Sequence, residues 1–260
     1  DIAAVKWVGG NEANLERGLP NITGLIVLND PETMVPLAIM DGSWITAMRT
    51  GAANAVAMKY LGPASPRTVA VVGCGVQGRS NLLAMLTRYP GIVRVCCYDV
   101  IPQALVAFIR DAESSHAGVE FVAAAGPREA VEEADIVVSA GPSPKHPTPY
   151  LRADWLKQGA MAAPVDYMGA WDAQLAAEVD LLITDDHAQM DYYRSKGYFA
   201  DIPRPNADLG EVVAGLKPGR ERSDERTMSI CMGIAVDDAV TAALVYERAC
   251  AAGIGVELPL

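Results

Sequence analysis

Between residues 68 and 185 the apolar positions gather into short runs at 68–72, 93–98, 119–123, 135–139, 160–163 and 180–184. These runs are nearly continuous, which marks strands buried on both faces. Between them the apolar residues fall at helical spacing over 77–88, 102–112, 127–134 and 152–157, with a shorter helix over 172–177. Strands separated by helices at this interval predict a parallel sheet wound on both faces, because parallel neighbours need long crossovers. The stretch Gly141-Pro142-Ser143-Pro144-Lys145-His146-Pro147 breaks the pattern directly after the fourth run. In such sheets ligands sit beyond the carboxyl ends of the strands. Residues 73–78, 99, 139–144 and 164–169 are therefore expected to converge on one crevice.

The two flanks carry a different pattern. Runs at 22–28 and 35–39, joined by Asn29-Asp30-Pro31-Glu32-Thr33, predict a hairpin, and the alanine-rich stretch 45–61 predicts a helix that ends before Gly62-Pro63. At the far end 228–252 reads as one more helix, closed by Gly253. The expected division is a smaller α+β domain for substrate binding and dimerisation, from residues 1–61 and 228–260, and a larger α/β domain over 62–227. No internal repeat or low-complexity segment is present.

The first strand of the larger domain runs into Gly73-Cys74-Gly75-Val76-Gln77-Gly78, a G-x-G-x-x-G turn opening a helix. Glycine at these three points lets backbone N–H groups at a helix N-terminus approach a pyrophosphate. Asp99 ends the next strand about 20 residues further on, where a carboxylate accepts hydrogen bonds from the adenosine ribose. Strand, glycines, helix and acid together predict a Rossmann-type dinucleotide site. A carboxylate at 99 repels a 2′-phosphate and Val100-Ile101-Pro102-Gln103 offers no cation, so NAD is preferred over NADP. Asp99 has an alternative reading as the N-cap of the following helix.

Charge narrows the partners. Lys and Arg total 21 against 32 Asp and Glu, a net charge of −11, and the basic residues are scattered except in 217–226. Nucleic-acid and anionic-membrane surfaces need clustered cations, so both are excluded. No apolar run reaches membrane-spanning length and no basic-then-apolar leader opens the sequence. Five cysteines at 74, 96, 97, 231 and 250, with three scattered histidines, show no metal-ligand spacing. Reduced thiols in a cytoplasmic protein, with no metal site, are expected. The sequence opens at Asp1 without a methionine, as if within a strand, which suggests a missing front segment.

Several side chains are candidates for chemistry. Arg49 and Thr50 lie early in the 45–61 helix, where a guanidinium can grip a carboxylate and a hydroxyl can reach a phosphate. Lys6, beside Trp7 at a strand end, is a second anion-binding candidate. The alternative for both cations is an ordinary solvated side chain. Asp166 follows the fifth strand of the larger domain, where a carboxylate can exchange a proton with an amine, an imine or water; its alternative is to cap the helix near 170–177. Asp237 and Asp238 read as structural. Tyr167, Trp171, Tyr192, Tyr193, Tyr198 and Phe199 form either an aromatic lid or ordinary packing.

With these residues laid out, the sequence resembles the ornithine cyclodeaminase/mu-crystallin family, which includes archaeal-type alanine dehydrogenases and ketimine reductases. The resemblance rests on Lys6-Trp7-Val8, Arg17-Gly18-Leu19-Pro20, Leu37-Ala38-Ile39-Met40-Asp41, Arg49-Thr50-Gly51-Ala52-Ala53 through Lys59-Tyr60-Leu61, and the glycine turn. Ala134-Asp135-Ile136-Val137, Asp208-Leu209-Gly210-Glu211-Val212-Val213-Ala214-Gly215 with Gly219-Arg220, and Gly233-Ile234-Ala235-Val236-Asp237-Asp238 complete it. It implies that Lys6 and Arg49 bind the substrate carboxylate, with Lys6 and Asp166 at the catalytic centre. It further implies that Thr50, Val76 and Gln77 serve the dinucleotide phosphates, Asp99 the ribose, and Ser139, Ala140 and Gly141 the nicotinamide. It implies a homodimer and a front segment before Lys6.

Two departures stand out. The family commonly shows Pro-Gly-Lys and then Glu-Leu after its aspartate, where this chain has Tyr167-Met168-Gly169-Ala170-Trp171, and Cys231 stands where a serine often lies near the nicotinamide. The leading expectation is an NAD-dependent oxidoreductase moving a hydride to or from the α-carbon of a small amino or imino acid. The alternatives are a redox-neutral, ammonia-releasing cyclodeaminase and a non-catalytic binding protein of the mu-crystallin kind. Asp166, Lys6 and Arg49 are expected to surround one carbon held against the nicotinamide.

Overall fold

The computed structural model describes residues 2–259, so the expectation that Asp1 lies within a strand falls outside the described residues. Strands β1 (Ala3–Gly10), β2 (Ile22–Asn29) and β3 (Pro36–Asp41) form an antiparallel sheet in that order, which contains the expected hairpin. Lys6 stands opposite Ile26 in the middle of β1, not at a strand end. Helix α1 (Gly42–Leu61) follows at once. The Asp41 carboxylate starts it by accepting the N–H groups of Ser43 (2.9 Å) and Trp44 (3.2 Å), bonds that hold its pKa below the usual carboxylate value.

The second sheet has eight parallel strands. In chain order its elements are β4 (Thr68–Val72), α2 (Val76–Arg88), β5 (Arg94–Tyr98), α3 (Pro102–Ser115), β6 (Glu120–Ala123), α4 (Pro127–Val131) and β7 (Ile136–Ser139). Then come β8 (Met161–Pro164), α5 (Gln174–Glu178), β9 (Leu181–Thr184), α6 (His187–Ser195), β10 (Ala207–Asp208), α7 (Leu209–Val213) and β11 (Thr227–Ile230). The strand order is β10-β9-β11-β8-β7-β4-β5-β6. The chain leaves β4 towards β5 and β6, then returns to place β7 on the other side of β4, so the order reverses at the β4–β7 pair. Along β4, Ala70 and Val72 join one buried cluster while Val69 and Val71 join another, so both faces are covered. That is why the strands read as nearly continuous apolar runs.

Helix α8 (Ala235–Ala252) returns to the first sheet, where Ala242 packs with Ile26, Leu28 and Ile45. Contacts divide the chain into two units, Asp1–Thr50 with Ile234–Leu260, and Gly51–Gly233. The reading of 228–252 as one helix needs correction: Thr227–Ile230 is a strand inserted between β9 and β8, and the helix begins at Ala235. Every residue of β11 is buried, so it shows no alternation, and its apolar run merges with that of the helix. The expected helix over 152–157 is a single 3-10 turn, Ala153–Trp155. Helices α6 and α7 and strand β10 lie where the pattern marks nothing, because side-chain caps rather than apolar periodicity start these helices. Asp186 accepts the Gln189 N–H (2.6 Å), and Asp208 with Glu211 forms a reciprocal capping box.

Arg220, part of the family pattern, is a structural staple. Its guanidinium donates to the carbonyls of Leu61 (2.6 Å) and Gly159 (2.9 Å) and to the Thr227 hydroxyl (3.1 Å), and burial pulls its pKa below the ordinary value. Among the described residues no helix is long and apolar enough to cross a membrane.

Candidate active site

In the larger unit the predicted residues line up along the carboxyl ends of β4, β5, β7, β8 and β11. The glycine turn links β4 to α2. Gly73 has φ +97, and a β-carbon there would lie 2.7 Å from the Ala140 carbonyl. A β-carbon on Gly78 would lie 2.1 Å from the Gly73 carbonyl oxygen, so only glycine closes the turn. A β-carbon on Gly75 meets nothing within 4 Å and would project into open space. Helix α2 has Gly75 as N-cap and no side-chain cap, which leaves the N–H groups of its first turn, Val76 and Gln77 included, for an anion.

Asp99 is tied to this turn. One carboxylate oxygen accepts the Cys74 N–H (2.7 Å) and the other the Ile101 N–H (2.8 Å). The N-cap position of α3 is Ile101, so Asp99 braces the entry to α3 without capping it. Each oxygen keeps a lone pair able to accept a hydroxyl. The first turn of α2 is braced from behind by a buried pair that the sequence reading did not single out. Asn54 donates to Asn81 (2.7 Å), and Asn81 donates to the Gln77 carbonyl (2.8 Å). An asparagine amid the alanines of α1 was the available signal. The Gln77 side-chain oxygen faces the Ser80 hydroxyl (3.3 Å), so its amide nitrogen is the end able to donate to a phosphate.

Asp166 follows β8 and is 1 % exposed. Ser139, the last residue of β7, donates its hydroxyl to Asp166 Oδ1 (3.1 Å), while Oδ2 is buried without a hydrogen-bond partner. Burial pushes the carboxyl up to about 6, opposed by Ser139 and more weakly by the N–H groups of Gly141 and Ala170. Asp172, not Asp166, braces the start of α5, through the Gln174 N–H (3.0 Å).

The turn after Asp166 is strained. Tyr167 (φ 52) and Met168 (φ 64) are consecutive left-handed residues, each costing on the order of 1–3 kcal/mol unless the surroundings enforce it. They do so here: Tyr167 donates to the Met232 carbonyl (3.2 Å), and Met168 is buried in the core. The expected aromatic group is real in part. Tyr167 packs against Tyr193 (5.4 Å between centroids), Phe199 (5.5 Å) and Tyr198 (6.2 Å), and Tyr192 packs on Tyr193 (5.8 Å). Trp171 is instead 1 % exposed and belongs to the core. Cys231 is buried directly after β11.

In the smaller unit two cations meet one acid. Lys6 Nζ lies 2.9 Å and Arg49 Nε 3.3 Å from Asp238 Oδ1, all three side chains being at most 15 % exposed. Asp238 is thus the counter-ion of both predicted carboxylate binders, a link the sequence reading did not make. Arg49 Nε remains a buried donor without an aligned acceptor. A buried guanidinium with an unmet N–H is a fitting place for a carboxylate. Thr50 donates its hydroxyl to the Thr46 carbonyl (2.7 Å), so it must swing that proton away to serve a phosphate oxygen, which only accepts. His187, Asp208 and Glu211 bring ligand atoms within 4.8 Å of one another, but both acids are held by the α7 capping box.

A family model described as "Ornithine cyclodeaminase/mu-crystallin family" matches residues 1–253. The chain is 31 % identical over 267 residues to N-((2S)-2-amino-2-carboxyethyl)-L-glutamate dehydrogenase of Staphylococcus aureus, covering 100 % of this chain and 78 % of that protein. It superposes with a TM-score of 0.86 on Delta(1)-pyrroline-2-carboxylate reductase of Thermococcus litoralis, solved with NADH and L-proline. Identity there is 32 %, with 98 % of this chain and 80 % of that one covered. An archaeal alanine dehydrogenase dimer with bound NAD also superposes at 0.86, with 30 % identity over 100 % of this chain and 81 % of that one.

Proposed function

Because this chain belongs to the ornithine cyclodeaminase/mu-crystallin family, we propose that it is an NAD-dependent oxidoreductase. It transfers a hydride between nicotinamide and the α-carbon of a small amino or imino acid. The observation that carries this reading is the row at the carboxyl edge of the large sheet. There an uncapped helix start behind an open Gly75 and the Asp99 carboxylate follow β4 and β5, and a buried Asp166 with an orphaned Oδ2 follows β8, two strands from β4 along the same edge. These residues fit a dinucleotide. The glycine turn, Val76, Gln77 and Thr50 serve its phosphates, Asp99 its adenosine ribose, and Ser139, Ala140, Gly141 and Cys231 its nicotinamide end. A carboxylate at 99 disfavours NADP.

Bound nicotinamide supplies the hydride acceptor or donor. The chain does the rest. Lys6 and Arg49 hold the substrate carboxylate by charge-assisted hydrogen bonds and so orient the α-carbon. Asp166 Oδ2 takes a proton from the substrate amine in oxidation and returns it to the imine nitrogen in reduction, while Ser139 holds Oδ1. Arg49→Lys keeps the charge but loses the guanidinium fork, and about a 10- to 100-fold fall in kcat/KM, expressed mainly in KM, is expected from steady-state kinetics.

The test is a screen of the intact protein with amino acids plus NAD, and with cyclic imines or keto acids plus amines and NADH, followed by nicotinamide absorbance. Substrate-dependent appearance or loss of NADH supports the reading. Ammonia release without net absorbance change assigns the cyclodeaminase reaction instead, and turnover of no substrate by NAD-bound protein overturns the enzyme reading.

The protein acts as a homodimer in this proposal. The outer face of the small sheet carries Val5, Trp7, Leu25 and Ile39 in register, with Leu37 beside them where the β2–β3 register shifts, all exposed, with Trp7 at 79 %. An apolar face of this kind on a folded unit marks an association surface. Trp7→Lys is expected to convert dimer to monomer in sedimentation experiments; an unchanged dimer places the interface elsewhere. The buried thiols Cys74, Cys96 and Cys97 accord with a cytoplasmic location.

A further inference from the structure

Tyr150 closes the proline-rich loop after β7 and plays no part in the site as described so far. Its own N–H and that of Leu151 both donate to the Ala170 carbonyl (2.9 Å each), which pins it beside the strained turn that follows Asp166. From that anchor the side chain runs back along the carboxyl ends of the strands. A β-carbon built on Gly141 would lie 3.8 Å from Asp166 Oδ2 and 3.9 Å from the Tyr150 hydroxyl, so both polar groups face the bare space over Gly141. On its other side the Tyr150 ring stands 6.5 Å from that of Tyr98, the residue before Asp99. Burial pushes the phenol up to about 12, with Asp166, Tyr98 and Asp99 adding to the rise. One side chain therefore feels both acids that the proposed function sets at opposite ends of the dinucleotide, across the β8-β7-β4-β5 stretch where the strand order reverses.

We propose that Tyr150 is a dinucleotide-binding residue, supplying an aromatic face and a hydroxyl donor in the crevice between Asp99 and Asp166. This rests on the proposed function and adds to it a residue outside the glycine turn. The chemistry suits the ligand. A dinucleotide offers phosphate and ribose oxygens to a donor and flat rings to an aromatic face. Burial, reinforced by the neighbouring carboxylates, keeps the phenol protonated, so it donates across the working pH range and brings no negative charge near a pyrophosphate. Tyr150 is 36 % exposed, so part of its apolar ring still gains from being covered.

The experiment is isothermal titration of NADH into the wild type and into Tyr150→Phe and Tyr150→Leu, with apo melting curves for all three. The wild type is expected to bind. Tyr150→Phe, which keeps the ring, should weaken binding about 3- to 10-fold through loss of one hydrogen bond, and Tyr150→Leu about 30-fold or more. Should the leucine variant fail to fold, the near-isosteric phenylalanine variant decides by itself. Binding by either folded variant within about twofold of the wild type overturns the proposal, and a lowered apo Tm with unchanged binding overturns it as well by assigning the residue to packing alone. Failure of the wild type to bind NADH is a different result: it removes the proposed function itself.

Discussion

Asp166→Asn lowers kcat about 10²- to 10⁴-fold and leaves the NAD dissociation constant within about twofold, by stopped-flow kinetics and titration respectively. The amide keeps an oxygen for the Ser139 hydroxyl but offers nothing that can exchange a proton at the Oδ2 position. With its carboxyl near 6, Asp166 is charged above that pH and neutral below it. Oxidation of the amino acid therefore falls off below about pH 6, and imine reduction falls off above it, when each is limited by this group. The same shift affects stability. Burial raises the folded pKa above the ordinary 3.8, so Asp166 favours the folded state most at low pH, where it is neutral in both states. That advantage is lost as pH rises from 3.8 through about 6, and the difference is worth roughly 3 kcal/mol by the linkage relation. The apo asparagine variant is accordingly expected to melt above the wild type at pH 8, with the gap narrowing towards pH 5. Full activity in the variant, or loss of NAD binding, makes Asp166 something other than the proton carrier.

Gly78→Ala abolishes dinucleotide binding and weakens the fold, whereas Gly75→Ala affects binding alone. The Gly78 methyl would sit 2.1 Å from the Gly73 carbonyl oxygen, a backbone atom that cannot yield without moving the turn between β4 and α2. The overpacking costs about 3 kcal/mol, and about a 100-fold or greater loss of NAD affinity accompanies it. The Gly75 methyl meets nothing within 4 Å, so the apo Tm is expected to hold while NAD affinity falls as the methyl fills the approach to the α2 N–H groups. Calorimetry and titration on the two variants separate these effects. Equal Tm losses, or a Gly75→Ala protein that binds NAD normally, would show that the pyrophosphate does not approach there.

The strands of the large sheet were legible to within a residue or so up to β9, because double-sided burial leaves an apolar run that no helix interrupts. So were the end of α1, both ends of α2 and the start of α3, whereas α1 begins at Gly42, three residues before the expected start at 45. Legibility failed where a signal needs a partner distant in the chain. β11 merged with α8 because its burial comes from β8 and β9, which precede it by about 45–65 residues in the registers Met228↔Leu182 and Met228↔Ala162. The 3-10 turn at 153–155 reads as a helix because spacing alone does not separate one 3-10 turn from a short helix, and of the two readings open for Trp171 the fold selects packing, because aromatic identity says nothing about depth. Asp238 read as structural, yet it touches Lys6 across 232 residues of sequence, a pairing that no spacing rule reports.

By itself the sequence determined the glycine turn, the acid that follows it and the alternation that winds the sheet on both faces. Each of these depends on neighbours within a turn or a strand, where steric rules act locally. Only the tertiary structure decided that Lys6 and Arg49 share the Asp238 carboxylate, that Asp166 is desolvated against Ser139 with one oxygen left over, and that the Tyr150 phenol feels the charge of both Asp99 and Asp166. Desolvation and charge pairing depend on which distant groups exclude water or meet, and the fold alone brings those groups together.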